Sequence, residues 1–196
     1  MSPGTDAGAV EAALAGYVPS SDAEARDVER VRALAAGGDP WSRHTPLHVT
    51  GSAVIVDPAG GVGPGRVLLR WHARMGSWLQ VGGHADPGET DPLVTARREA
   101  AEETGLTDLV GWPEASRPRL VHVVIVHVPA GRGEPVHEHA DFRYVLTTAR
   151  PDAVTPESPD AQLRWLPFVD AGAAVAEDNL RDTLGRVSAL RAAPRN

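Results

Sequence analysis

The stretch "RREAAEETGL", Arg97 to Leu106, constrains this chain more than any other. On a helix of 3.6 residues per turn, positions i, i+3 and i+4 share a face, so Glu99, Glu102 and Glu103 converge. Like charges at that spacing destabilise an isolated helix and need a compensating partner. The helix itself is well marked: Asp91 is a good N-cap, Pro92 takes the favoured first position and Gly105 supplies the stop. Ahead of it lies "GGHADPGE", a Gly-rich turn ending in Glu89, where backbone lacking Cβ atoms can come close to a ligand. Divalent cations would relieve the repulsion. Hard Mg²⁺ or Mn²⁺ prefers oxygen ligands and leaves its remaining positions to water or phosphate. The combination suits metal-assisted hydrolysis of a phosphoanhydride.

The surrounding pattern predicts a mixed α/β fold. Residues 5–17 and 21–36 read as short helices; the second has a Ser or Asp cap and Val28, Val31 and Leu34 at helical spacing before a Gly-Gly stop. "HVTGSAVIVDP" and "RVLLRWHA" read as strands joined by the turn "AGGVGPG", so that 47–73 forms a hairpin. "SWLQV" is a short third strand, and "RLVHVVIVHVP", "DFRYVLTTA" and "AQLRWLP" are three more. The tail is an amphipathic helix with Leu180, Leu184, Val187 and Leu190 on one face. The expected division is a helical extension over 1–44 and a main domain over 45–196 that includes the C-terminal helix. The extension could lid a site, form a homodimer contact or cover a sheet face.

Charge and composition narrow the partners. A formal charge of -7 argues against nucleic acid but leaves a phosphate-bearing small molecule open, because bound metal reverses the local sign. The absence of cysteine removes disulfides, zinc–thiolate sites and a thiol nucleophile. All 19 basic residues are arginines, so no lysine can act as base or phosphate ligand. The N-terminus lacks a basic and apolar leader, and no apolar run approaches a membrane span, so a cytoplasmic protein without membrane contact is expected.

"GGHADPGETDPLVTARREAAEETGL" resembles the Nudix box, the signature of hydrolases that cleave a nucleoside diphosphate linked to another moiety. Gly83, Glu89, Arg98, Glu99, Glu102, Glu103, Gly105 and Leu106 match its pattern. Two departures stand out: eight residues rather than seven separate Glu89 from Arg98, and Ala100 replaces a bulky aliphatic residue. The extra residue falls in the loop before Pro92 and leaves the helix register intact. The resemblance implies a Nudix-type mixed-sheet α/β/α sandwich. It implies Glu99, Glu102 and Glu103 as metal ligands, with a backbone carbonyl of Gly82 or Gly83 as a further oxygen. Arg98 would orient Glu99, Glu89 would support the loop and Arg98, and Gly83 and His84 would face the phosphates of a nucleotide-type substrate. A different class of function, a Nudix-like nucleotide-sensing module, would keep the fold without turnover. Isopentenyl-diphosphate isomerase shares the fold but is understood to use a cysteine, which this chain lacks.

Outside the box, family members often carry a further base, for which Glu138, His139, Asp141 and Glu157 are eligible; Glu138 and His139 are preferred. At strand spacing His137, His139 and Asp141 share one face and Glu138 the other. His122 and His127 point to opposite faces. Trp71, Trp78 and Trp165 read as core, and Trp41, in a loop, as an aromatic available to stack on a base. No sequence mark selects one nucleotide substrate over another.

Overall fold

The strand expected from "HVTGSAVIVDP" forms β1 (Leu47–Asp57), buried along nearly its whole length because helices cover the sheet on both sides. The computed structural model describes residues 3–58, 65–131 and 133–192. The helices α1 (Pro3–Ala13) and α2 (Asp22–Gly37) precede β1, followed by β2 (Arg66–His72), β3 (Ser77–Leu79) and β4 (Val81–His84). The carboxylate helix is α3 (Pro92–Thr104). Then come β5 (Val110–Gly111), β6 (Arg119–Val128), β7 (His137–Thr147), β8 (Leu163–Pro167), α4 (Phe168–Ala174) and α5 (Asp178–Ala192).

β1 runs parallel to β7 along one edge, while its other edge is shared between β4, at Thr50–Ala53, and β2, at Ile55–Asp57, both antiparallel. β7 also pairs with β5 and β6, and β2 with β3 and β8, all antiparallel. The β1–β2 pairing is the expected hairpin; residues 59–64 of its Gly-rich turn lie outside the described residues.

Alternation along the strands sorts the interior into two layers. Val49, Ala53 and Ile55 of β1, with Ala140, Phe142 and Leu146 of β7, meet α1, α2 and α3. Val54, Val56 and Val145 point the other way and pack on α4 and α5 through Leu180, Leu184 and Val187, with Leu190 partly buried beside them. The result is the three-layer α/β/α sandwich, with helices added at both ends. Of the three roles open to the N-terminal helices, the structure displays sheet cover: Val28 and Val31 are buried against Val49, Val123 and Phe142. Ser21 caps α2, its Oγ accepting from the Glu24 amide at 3.2 Å.

Tryptophan placement departs from expectation. Trp41 is only 7% exposed within the cluster beneath α2, so it is packing rather than a free stacking platform. Trp71, Trp78 and Trp165 do lie in strands but are half-buried, in the part of the sheet that β2, β3 and β8 build on the side of β1 away from β7. Trp71 and Trp78 meet edge to face with centroids 5.5 Å apart, and Trp165 Nε1 donates to the Pro151 carbonyl at 2.9 Å. "SWLQV" is not one strand but two. It breaks at Gln80, whose side-chain amide donates to Asp141 at 3.1 Å.

Candidate active site

Helix α3 can press closely on β1 because position 51 is glycine: a Cβ there would collide with the Pro92 carbonyl and stand 2.8 Å from the Ala96 nitrogen. That contact carries the glutamate face to the glycine edge of β4. Gly83 lies directly under the Glu99 carboxylate, where an added Cβ would come within 2.5 Å of Oε1. The Gly82 amide donates to Glu103 Oε2 at 3.0 Å, and Gly82 holds φ of 149°, a conformation that disfavours other residues. Glu99 and Glu103 therefore turn inward, with side chains 18% and 11% exposed, while Glu102 keeps 55% exposure at the rim.

Arg98 is the hub of the loop and helix. Its Nη1 donates to Glu99 and Glu102, each at 3.0 Å, its Nε to Glu89 at 3.0 Å, and its Nη2 to the His84 carbonyl at 2.7 Å. Glu89 also accepts from the Asp86 amide and the Thr95 hydroxyl, each at 3.0 Å. The extra loop residue thus leaves Glu89 in reach of Arg98, with Asp91 still capping the helix through the Leu93 amide at 2.8 Å.

The electrostatics differ among the carboxylates. Burial pushes Glu103 up to about 7, against the opposing pull of Arg70 and the Gly82 amide. Burial likewise raises Glu99 above its ordinary value despite Arg98. Burial also works to raise Glu89, but Arg98, the Asp86 amide and the Thr95 hydroxyl outweigh it and lower that carboxyl. Two carboxylates that burial disfavours in their charged form stand beside a glycine-lined edge, and oxygen ligands of this kind are what a hard divalent cation prefers. Glu99, Glu102 and Glu103 are the ligands that the resemblance to the box leads one to expect, and Arg98 bonds the first two of them to one nitrogen.

Beside them opens a cleft of about 300 Å³, lined among others by Ser52, Arg70, Gly83, Glu103 and Asp141. Arg70 stands 3.3 Å from Glu103 and also ion-pairs with Glu157, linking β2, α3 and the loop before β8. Asp141 forms the polar floor, accepting from Thr50, Ser52, Gln80 and the fully buried Arg143. Arg70 and Gln80 were not singled out from sequence, since a strand arginine or glutamine carries no motif of its own.

The remaining expected residues divide. Glu138 does not join the carboxylates. It lies on the sheet face opposite His139 and ion-pairs with Arg30 of α2 at 2.6 Å. His84 and His139 do meet, their Nε2 atoms 3.2 Å apart, on the wall of the cleft that Glu103 also lines. Burial first, then neighbouring histidines, pushes His84 down to about 4 and His139 down to about 3. His48 and His137 complete this group, and parallel β1–β7 pairing, which sets His48 opposite His139, is the register that sequence reading lacked. His122 is instead buried against α5, its Nδ1 2.8 Å from the Thr183 hydroxyl.

A family model described as NUDIX domain matches residues 46–187. Among solved structures, a C. elegans Ap4A hydrolase binary complex is 23% identical with a TM-score of 0.56, covering 74% of this chain and 97% of that one. A NUDIX-family hydrolase from Clostridium perfringens is 26% identical with a TM-score of 0.52, covering 73% and 97%. A Nudix hydrolase from M. smegmatis is 23% identical with a TM-score of 0.53, covering 76% and 89%. No match was found among curated proteins.

Proposed function

The chain belongs to the Nudix hydrolases, a family of phosphoanhydride hydrolases, and on that premise we propose that it cleaves the pyrophosphate bond of a nucleoside diphosphate linked to another moiety. The observation that carries this reading is the inward pair Glu99 and Glu103, both raised by burial and both seated on the glycine edge of β4. Glu99, Glu102 and Glu103 would hold Mg²⁺ or Mn²⁺, which when bound neutralises the diphosphate and lowers the pKa of a coordinated water.

The chain's own residues do the rest. Arg98 fixes the rotamers of Glu99 and Glu102 and, with Glu89, the shape of the loop that turns Gly83 toward the phosphates. Of the eligible bases, Glu138 pairs with Arg30 on the other face of the sheet, His139 is engaged with His84 and His137, and Asp141 is held by its donors, whereas Glu157 shares Arg70 with Glu103 and keeps 40% exposure. Glu157, joined to Glu103 through Arg70, is the base we assign to the attacking water. Water adds to one phosphorus, the bridging oxygen leaves with the second, and two phosphate monoesters result.

The test is turnover by purified protein with Mg²⁺ across nucleoside diphosphate sugars, nucleoside triphosphates, dinucleoside polyphosphates and dinucleotides, with products identified. Nucleoside monophosphate release that Glu102→Gln and Glu157→Gln each reduce at least a hundredfold, with thermal unfolding unchanged, is expected. Nucleotide-induced thermal shifts without turnover on any of these would replace the hydrolase with a sensing module.

A further inference from the structure

Four histidines from three strands converge beside the cleft. His48 lies near the start of β1, His84 ends β4, and His137 and His139 open β7. One ring nitrogen from each lies within 4.8 Å of the other three. His139 Nε2 stands 3.2 Å from His84 Nε2 and 3.1 Å from His137 Nε2.

The partners of two of the rings fix their tautomers. His48 Nδ1 lies 2.9 Å from the Thr45 carbonyl and His137 Nδ1 lies 2.9 Å from the Pro135 carbonyl. A carbonyl oxygen only accepts, so both Nδ1 atoms carry the hydrogen, and both Nε2 atoms of the neutral rings present bare lone pairs. His48 Nε2 is buried and has no hydrogen-bond partner among the described residues. His139 Nε2 has two nitrogen neighbours and at most one hydrogen to offer, which leaves part of the group facing lone pair to lone pair. Nitrogen lone pairs that converge on one point, the His48 one buried, need a donor or a cation there, and four imidazoles within ligand distance of one another favour a metal ion.

We propose that His48, His84, His137 and His139 bind one divalent transition-metal ion of the zinc class through four imidazole nitrogens, as a site separate from the α3 carboxylates. Tetrahedral Zn–N bonds of 2.0–2.1 Å require nitrogen separations of roughly 3.3 Å, near the two short contacts already present. The all-nitrogen set selects against Mg²⁺, which demands oxygen. Four protein ligands close the coordination sphere, which marks a structural rather than a catalytic ion. The Thr45 and Pro135 carbonyls are the outer partners that fix tautomer and ring orientation. Bound there, the ion ties the starts of β1 and β7 to His84, whose carbonyl receives Arg98 Nη2, and so braces the loop that precedes α3.

The proposal does not rest on the hydrolase reading. Tag-free protein is stripped with chelator, given Zn²⁺ or Co²⁺, desalted and assayed for metal content and visible absorption. One equivalent retained, the intense d–d bands of tetrahedral Co²⁺, and a Zn²⁺-induced rise in Tm are expected. His48→Gln and His137→Ala should each abolish all three, while Glu99→Gln and Glu102→Gln leave them intact. The His137 ring is only partly buried, so His137→Ala keeps the test open if His48→Gln fails to fold. Retention below about 0.1 equivalent, a weak octahedral Co²⁺ spectrum, or binding that survives His137→Ala or disappears in Glu99→Gln would overturn it.

Discussion

At the scale of single residues, the site depends on what is missing at position 83 and on what is charged at position 103. The three atoms nearest an alanine Cβ at 83 all belong to the end of the Glu99 side chain, so the closest clash is relieved by moving that carboxylate. Gly83→Ala is therefore expected to lower Mg²⁺-dependent turnover at least tenfold while changing stability by less than about 1 kcal/mol, measured by urea titration. Glu103 poses the opposite balance. Burial works against its charge more strongly than Arg70 and the Gly82 amide favour it, and a glutamine could still accept from that amide. Glu103→Gln should then unfold, in chelator, at a Tm no lower than wild type, yet lose both turnover and the Tm rise caused by Mg²⁺. A drop of several degrees in chelator would mean that the pairing with Arg70 outweighs desolvation. The box residues were legible from sequence because one helix and one loop hold them all. The histidine group was not: His48 and His139 are 91 positions apart in the chain and meet only through parallel pairing.

Among elements, the decisive contact is α3 on β1. The helix was legible from Asp91, Pro92 and Gly105, and all three act as read: side-chain cap, first-turn proline and a left-handed Gly105 at φ 69°. What the sequence left unstated was why β1 carries Gly51 among β-branched neighbours. The structure supplies the reason, since the helix backbone passes where a Cβ would be. Here, unlike at 83, neither obstructing atom can rotate away. Gly51→Ala should cost about 3 kcal/mol through overpacking, seen as a lower urea midpoint with an unchanged m-value. The break at Gln80 and the half-buried tryptophans escaped sequence reading for a related reason. Strand propensity says nothing about which positions of a strand the rest of the fold will cover.

Over the whole molecule, the N-terminal helices are joined to the C-terminal helix through one carboxylate. Glu24 of α2, 3% exposed, accepts from Arg186 of α5 at 2.7 Å, from the Ser20 amide at 2.7 Å and from the Tyr17 hydroxyl, and lies 3.3 Å from the Val123 amide of β6. Burial alone would raise this carboxyl, but Arg186, Tyr17 and Ser20 together bring it down to about 2 from an ordinary 4.5. Because the folded value lies below the unfolded one, the stabilisation is fully present above about pH 4.5 and is lost as pH falls toward 2. The difference corresponds to at most about 3 kcal/mol. Glu24→Gln removes the titration and the charge, so that among the described residues Asp182, at 2.6 Å, is left as the carboxylate paired with the largely buried Arg186. That variant should be less stable by 3–5 kcal/mol at pH 7, roughly the cost of breaking a buried pair. Its denaturation midpoint should also vary less than wild type between pH 4.5 and 2.5. If instead the two acid limbs run parallel, Glu24 is not the group that couples proton uptake to the docking of α2 on the sheet.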